Sequence, residues 1–556
     1  MRETVMRFSK FKPFVLLIIF ITAACSKDSD NKKITEQEPI IHSAHLADGW
    51  YPQNEIALIK TLKEYFIQAK KELGLVVDPR SIRGLIVPHA GMYYSGLCAA
   101  ATYQSLLLPD GEKNDKFKTV IILAPSHRTF INGVALPEYN IYKTTLGEIK
   151  TDTQAINILK KSTLFTVMKD VHDKEHAIEI QLPFLQQVLT DFKIVPLIVG
   201  NLTEENLALT VQELQKIIDD KTLIIVSSDF THQGQAYDYK PFTRDILAQI
   251  RYLDSVATYL ISTYSVPNFD KFSRDTGITI CGLHPIRILM GLVHLQSLGT
   301  NITTRLACYY NSAQLLNAKN QSTSNNLINT KKLLEPLDDN MVDNSVSYAG
   351  LILTDQKNSE LKYENQFTEF EKKSLLRLVR DKIENEFKNG DNKLPDHILY
   401  PIVTPALQKT CGIFVTLNTK QGELRGCIGR IISDLPLFQS VGEMAVACAF
   451  HDDRFLPVKK DELDNIVIDI TILTAPQKIE IFQEIKIGID GIVLKKIGSN
   501  GQIITSSVFL PQVPPSFGWD LQTTLEHLSQ KAGLGKDGWK ESCEFEVFQG
   551  FEIKEN

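Results

Sequence analysis

Hydrophobic positions change their period several times along the chain, and each change predicts an element. Short, continuous apolar runs occur at Gly84-Leu85-Ile86-Val87, Thr119 to Leu123, Phe192 to Val199 and Leu223 to Val226, with amphipathic stretches between them. Strands apolar on both faces and alternating with helices predict an α/β domain over 46–355, its sheet mostly parallel and covered on both sides. Within it, 317–344 is rich in Asn, Ser, Asp and Lys and reads as a long surface insertion, after which Ser345 to Thr354 returns as a last strand. Residues 356–366 show no apolar period and read as a linker. Thr368-x-x-Glu371 is a capping-box pattern that opens a helix running to about Phe387. Gly412 to Leu417 and Glu423 to Ile428, joined by Asn418 to Gly422, predict a hairpin. Strands and short helices mix over the remainder, so 367–556 reads as a separate α+β domain.

The first residues follow a different logic. Arg2, Arg7, Lys10 and Lys12 precede the apolar run Phe14 to Ala24, which is too short to span a bilayer and ends in small residues before Cys25. Residues 1–24 therefore read as a secretory signal. Thr22-Ala23-Ala24-Cys25 resembles a bacterial lipobox, although such boxes usually have Leu where this chain has Thr22. Lipidation of Cys25 is expected, with 25–45 as a polar tether and the cell envelope as the location, on the outer membrane, the periplasmic face or the cell surface. The acidic stretch Ser26 to Asp30 resembles an export tag of surface lipoproteins in some Gram-negative bacteria. A plain cleaved signal with an unmodified Cys25 is the alternative.

The 556 residues are 43% hydrophobic and 23% charged, ordinary for globular protein. Sixty basic against 66 acidic side chains give a net charge of −6, and basic residues never run beyond pairs, so nucleic acid is not an expected partner. Setting Cys25 aside leaves seven of the eight cysteines, an odd number without a C-x-x-C, which excludes a disulfide scaffold.

Three predicted strands run into reactive residues: Pro88-His89-Ala90-Gly91, Ala124-Pro125-Ser126-His127 and Ser227-Ser228-Asp229-Phe230-Thr231-His232. Ligands of open α/β sheets bind at the carboxyl ends of strands, so these histidines should meet in one crevice. Cys281, in Cys281-Gly282-Leu283-His284-Pro285, stands just before a predicted helix over 286–298, where the dipole favours a thiolate; a small buried hydrophobe is the plain alternative. His176 and Glu179 open another predicted helix and either orient a ligand or form a helix-end polar cluster.

These segments, together with Gly49-Trp50-Tyr51-Pro52 and Glu175-His176-Ala177-Ile178-Glu179, occur in the order seen in Memo-like proteins, protein B of the AmmeMemoRadiSam system. The resemblance covers 46–354 and implies a fold similar to class III extradiol dioxygenases with a metal pocket at the strand ends. It implies His89, His127 and Cys281 as ligands, with His284 a further candidate nearby. His232 would stand where that fold keeps its acid/base histidine, with Asp229 beside it. Two His and one carboxylate is the Fe(II) pattern, and Fe(II) is favoured; Cys in place of the carboxylate makes the set softer and admits Cu or Zn as well.

In the second domain Leu424-Arg425-Gly426-Cys427-Ile428-Gly429 resembles the signature of the AMMECR family, protein A of the same system, supported by Asp453-Arg454-Phe455-x-Pro457 and Phe517-Gly518-Trp519-Asp520. Arg425 beside Cys427 either holds a thiolate next to a cation or flanks a cysteine packed inward, and His451 to Arg454 either join that pocket or form a solvated turn. The whole implies a membrane-anchored metalloprotein with redox or oxygen-dependent chemistry on a small molecule. A non-enzymatic module binding a peptide or metabolite is the alternative; a metal-independent cysteine hydrolase ranks below both. The family also implies a radical-SAM partner, which export would separate from this chain.

Overall fold

The computed structural model describes residues 38–74, 77–320, 328–355, 367–390 and 393–555. The expected signal, Cys25 and the 356–366 linker lie outside them. No helix among the described residues is long and apolar enough to cross a membrane.

The first domain is built on a nine-stranded sheet: β1 (Ile82–Val87), β2 (Thr119–Pro125), β3 (Val134–Leu136), β4 (Phe165–Val167), β5 (Lys193–Val199), β6 (Thr222–Ser227), β7 (His232–Gly234), β8 (Ile302–Asn311) and β9 (Asn344–Asp355). The order is β7-β9-β1-β6-β2-β5-β3-β4, with β8 also on β9. The four middle strands β1, β6, β2 and β5 are parallel and carry the predicted apolar runs; each is buried nearly end to end because helices cover both faces. Pairing turns antiparallel at β9 on one side and between β5 and β3 on the other, so the sheet is mixed with a parallel centre.

Two expectations need correction here. The end of the expected tether belongs to the fold: Ile41–Ser43 is a strand that pairs in parallel with Ile141–Lys143. The expected surface insertion is partly built in. Its first residues continue the helix Ser312–Asn320, Ile328 and Leu333 belong to the first core, and Thr330 and Val342 are buried as well.

The second domain follows the capping box, which forms as predicted: Thr368 Oγ1 accepts from Glu371 N–H, and the Glu371 carboxylate accepts from Thr368 N–H. Its antiparallel sheet contains β10 (Ile413–Thr419), β11 (Leu424–Arg430), β12 (Ile466–Leu473), β13 (Gln477–Ile479), β14 (Asp490–Ile497), β15 (Ile503–Phe509) and β16 (Cys543–Lys554), in the order β11-β10-β12-β16-β14-β15 with β13 on β16. The hairpin β10–β11 turns at Gly422, whose φ of 87° suits glycine. The two domains touch directly. Phe370 and Ile402 of the second pack into the core of the first, and Ser255 Oγ accepts from Val403 N–H at 2.8 Å and donates to the Pro401 carbonyl at 3.3 Å.

Candidate metal centre

Strands β1, β6 and β2 are neighbours and parallel, so their carboxyl ends open onto one edge of the sheet. His89 follows β1 by two residues, His127 follows β2 by two, and β6 ends in Ser227 and leads to Asp229. Cys281 arrives just before the helix Leu283–His294, which begins three residues earlier than the expected 286 and ends four before 298, so that it takes in Leu283, His284 and Pro285. Gly282 allows this approach: a Cβ there would stand 2.3 Å from Ser228 Cβ, and its N–H donates to Ser228 Oγ at 3.0 Å. One donor atom each from His89, His127 and Cys281 lies within 4.8 Å of the others, and Cys281 Sγ is 3.2 Å from His89 Nε2.

The surroundings fix which nitrogen each ring offers. Ser227 Oγ donates its proton to the Ala177 carbonyl at 2.7 Å and accepts from Gln181 Nε2 at 2.9 Å, so at 3.0 Å it can only accept from His89 Nδ1. His127 Nδ1 donates to Glu175 Oε1 at 2.9 Å. Both rings therefore carry a proton on Nδ1, so that in its neutral form each offers the lone pair of Nε2. Glu175 also accepts from the backbone N–H groups of His127, His176 and Ala177. Burial opposes its ionisation, but the His127 hydrogen bond, charge and the backbone donors outweigh it and pull the pKa down to about 2. Burial pushes the Cys281 thiol well up, and the neighbouring Asp229 charge adds to this, so the dipole expected to favour a thiolate is overcome in the absence of a cation. Asp229 N–H nevertheless donates to Sγ at 3.2 Å, an interaction that a thiolate would strengthen. Burial also lowers the pKa of His89 well below the usual range, keeping it neutral as a ligand must be.

The remaining candidates divide. His232 Nδ1 faces only carbonyl oxygens, of Phe230 at 2.9 Å and Thr279 at 3.0 Å, so it carries the proton and Nε2 is free in the neutral ring. Asp229 is buried and accepts from His89 N–H at 2.7 Å; burial raises its pKa against the pull of His232. His176 joins the pocket, stacked on His127 with ring centres 4.5 Å apart and covered by Trp50 at 4.5 Å, and burial lowers its pKa to about 3. Glu179 does not join it. A 3-10 turn over Glu179–Gln181 carries its carboxylate to His45, Leu46 and Tyr51 instead. His284 is also turned away, its Nδ1 accepting from Arg287 at 2.9 Å. The acidic group that serves the pocket is Glu175, and its signal was its place immediately before His176.

In the second domain, Arg425 pairs in two-pronged fashion with Glu462, at 3.0 and 3.1 Å, rather than with Cys427. Cys427 does not pack inward: it stands opposite Thr416 on the face of β10–β11 turned from the core, and Thr416 Oγ1 donates to its sulfur at 3.2 Å. The neighbouring cation is Arg454, which donates to the Cys427 carbonyl at 2.8 Å while Asp452 holds both its guanidinium and the Cys427 N–H. All seven described cysteines are free.

Comparison with known proteins agrees with this layout. The family model described as Memo-like protein matches residues 42–327, and that described as AMMECR1 matches 376–553. Human Protein MEMO1 is 29% identical over 299 residues, covering 51% of this chain and 95% of that protein. Protein MEMO1 of Xenopus laevis is 30% identical over 295 residues, with the same coverage. A memo-1 homolog of Caenorhabditis elegans is 31% identical over 261 residues, covering 45% of this chain and 70% of that protein. Among solved structures, an uncharacterized protein from Pyrococcus horikoshii is 37% identical, covering 33% of this chain and 90% of its own, with a TM-score of 0.29. The chain belongs to the Memo-like family, and its Memo-like domain is followed by an AMMECR1 domain.

Proposed function

We propose that the chain is a metalloprotein whose Memo-like domain holds one transition-metal ion through His89 Nε2, His127 Nε2 and Cys281 Sγ, Fe(II) being favoured and Cu or Zn admitted. The observation that supports this is the convergence of two imidazoles, each with its Nδ1 proton committed elsewhere, on one sulfur. Two histidines and a thiolate suit a borderline-to-soft divalent ion. When bound, iron or copper would supply one-electron chemistry toward oxygen or a small organic molecule. Asp229 and the Gly282 turn hold the sulfur in place, Glu175 orients His127, and Trp50 with His176 walls one side of the pocket. His232 is the proposed acid/base group: with Nδ1 fixed on two carbonyls, the Nε2 of the neutral ring can take a proton from a ligand. The AMMECR1 domain supplies ligand or partner specificity, and a lipid on Cys25 anchors the chain to the envelope.

The test uses the full chain loaded anaerobically with Co(II). A near-ultraviolet thiolate-to-metal charge-transfer band is expected, and Cys281→Ser should abolish it while the fold persists. A folded protein with no such band before the substitution overturns the reading. Detergent phase partitioning of wild type against Cys25→Ala tests the anchor, which predicts that only the former enters the detergent phase.

A further inference from the structure

A second group of metal-ligating side chains stands apart from the first. His42, on the strand Ile41–Ser43, His45 just beyond it and Glu179 each offer one donor atom, and these lie within 4.8 Å of one another. His45 Nδ1 is 2.8 Å from Glu179 Oε2. Hydrogen bonds within the group are those of a well-anchored carboxylate: Glu179 also accepts from the N–H groups of His45 and Leu46 and from Tyr51 Oη. What they leave unexplained is His42. Its ring is 4% exposed, lies on Tyr142 with centres 4.6 Å apart and meets the edge of Tyr139 at 4.9 Å, so its orientation is locked. Its Nε2 has the His172 carbonyl at 3.4 Å, its hydrogen-bond partner among the described residues and one that needs a donor. That leaves Nδ1 as a buried lone pair, and it has no hydrogen-bond partner among the described residues. A fixed imidazole with Nε2–H turned to a carbonyl and an unmatched Nδ1 is the arrangement metal-binding histidines adopt.

We propose that His42, His45 and Glu179 form a second cation site for a borderline divalent transition metal of the Zn(II) class. Two neutral imidazoles and one carboxylate form a common three-ligand set for Zn(II), with a fourth position left to solvent, and the half-exposed ring of His45 provides the entry. Bonds of about 2.05 Å in a tetrahedron put ligand atoms about 3.3 Å apart. The His45–Glu179 pair, now 2.8 Å apart across a proton, would need to open by only about half an ångström when an ion replaces that proton. Lacking sulfur, this site is harder than the His89/His127/Cys281 pocket, so the two should differ in the ions they prefer. It does not depend on the reading of that pocket.

The experiment uses the full chain with His89→Ala and Cys281→Ser, titrated with Zn(II) against a chromophoric chelator. One equivalent of Zn(II) is expected to remain bound and to raise the melting temperature. His42→Phe in the same background keeps the ring stacked on Tyr142 but removes both nitrogens, and should cost at least 100-fold in affinity; His45→Ala should do the same while leaving the backbone bonds to Glu179. Circular dichroism checks that each variant is folded. Absence of Zn(II) binding in the folded His89→Ala, Cys281→Ser chain overturns the proposal, and so does an equivalent that survives His42→Phe unchanged.

Discussion

Glu175→Gln is the most informative single change at the first pocket. The carboxylate accepts four hydrogen bonds, three at Oε1 and one at Oε2, and is almost fully buried. An amide offers only one oxygen. With that oxygen at the Oε1 position, its NH2 confronts the His127 backbone N–H, leaving a buried donor unmet at a cost of about 1–3 kcal/mol. The charge matters as well. A carboxyl held at about 2 in the folded chain against 4.5 in the unfolded one contributes about 3 kcal/mol of stability. Because the folded pKa is the lower, this contribution is complete above about pH 5 and disappears as the pH falls toward 2. Wild type should therefore lose stability steeply between those limits, and Glu175→Gln should begin less stable at pH 7 by about 2–4 kcal/mol and show a flatter acid limb. His127 loses its orienting acceptor too, so metal affinity at the His89/His127/Cys281 pocket should fall about 10–100-fold. Urea unfolding at several pH values reads the first effect and chelator competition the second. A folded Glu175→Gln chain with unchanged affinity and an unchanged acid limb would falsify the assignment of this residue.

Other substitutions probe separate links. Gly282→Ala drives a methyl to within 2.3 Å of Ser228, so it should cost about 1–3 kcal/mol and weaken the Co(II) charge-transfer band; an intact band at wild-type stability contradicts the close approach. Ser255→Ala strips the Val403 N–H of its acceptor and should lower stability by about 1–3 kcal/mol, loosening the two domains; calorimetry should show an earlier melt, and none is expected if the contact is incidental. Asp452→Ala releases both the Cys427 N–H and Arg454, and should destabilise the AMMECR1 domain in denaturant by about 1–3 kcal/mol, whereas Arg425→Ala, which breaks a half-exposed ion pair, should change stability by under about 1 kcal/mol.

The parts of the fold that the sequence exposed are those set by local periodicity. The four central strands, the capping box at Thr368 and the hairpin around Gly422 all declare themselves within a few residues. His89 and His127 were legible because parallel strands deliver their carboxyl ends to one edge, whereas Cys281 joined them as a ligand only through the resemblance to Memo-like proteins. What resisted reading depends on turn angle and distant partners. Glu179 lies one turn past Glu175, and a 3-10 segment swings it to another cluster. Arg425 meets Glu462, and Cys427 meets Asp452 and Arg454, all far away in sequence. His42 and His45 were hidden in a stretch polar enough to pass for a tether, because a three-residue strand with one buried side chain leaves no period to detect.

The position of β9 bears on how the protein is made. This strand, the last of the first domain, lies between β8 and β1, so the strand leading to His89 has one flank open until residues 344–355 have emerged from the ribosome. At about 5–20 residues per second, synthesis from β1 to β9 takes on the order of 10–50 s. During that interval the nascent sheet exposes an unpaired apolar edge beside the future meeting point of His89, His127 and Cys281. Premature metal capture by His89 and His127, or pairing with another chain, would have to be prevented while the closing strand is still missing.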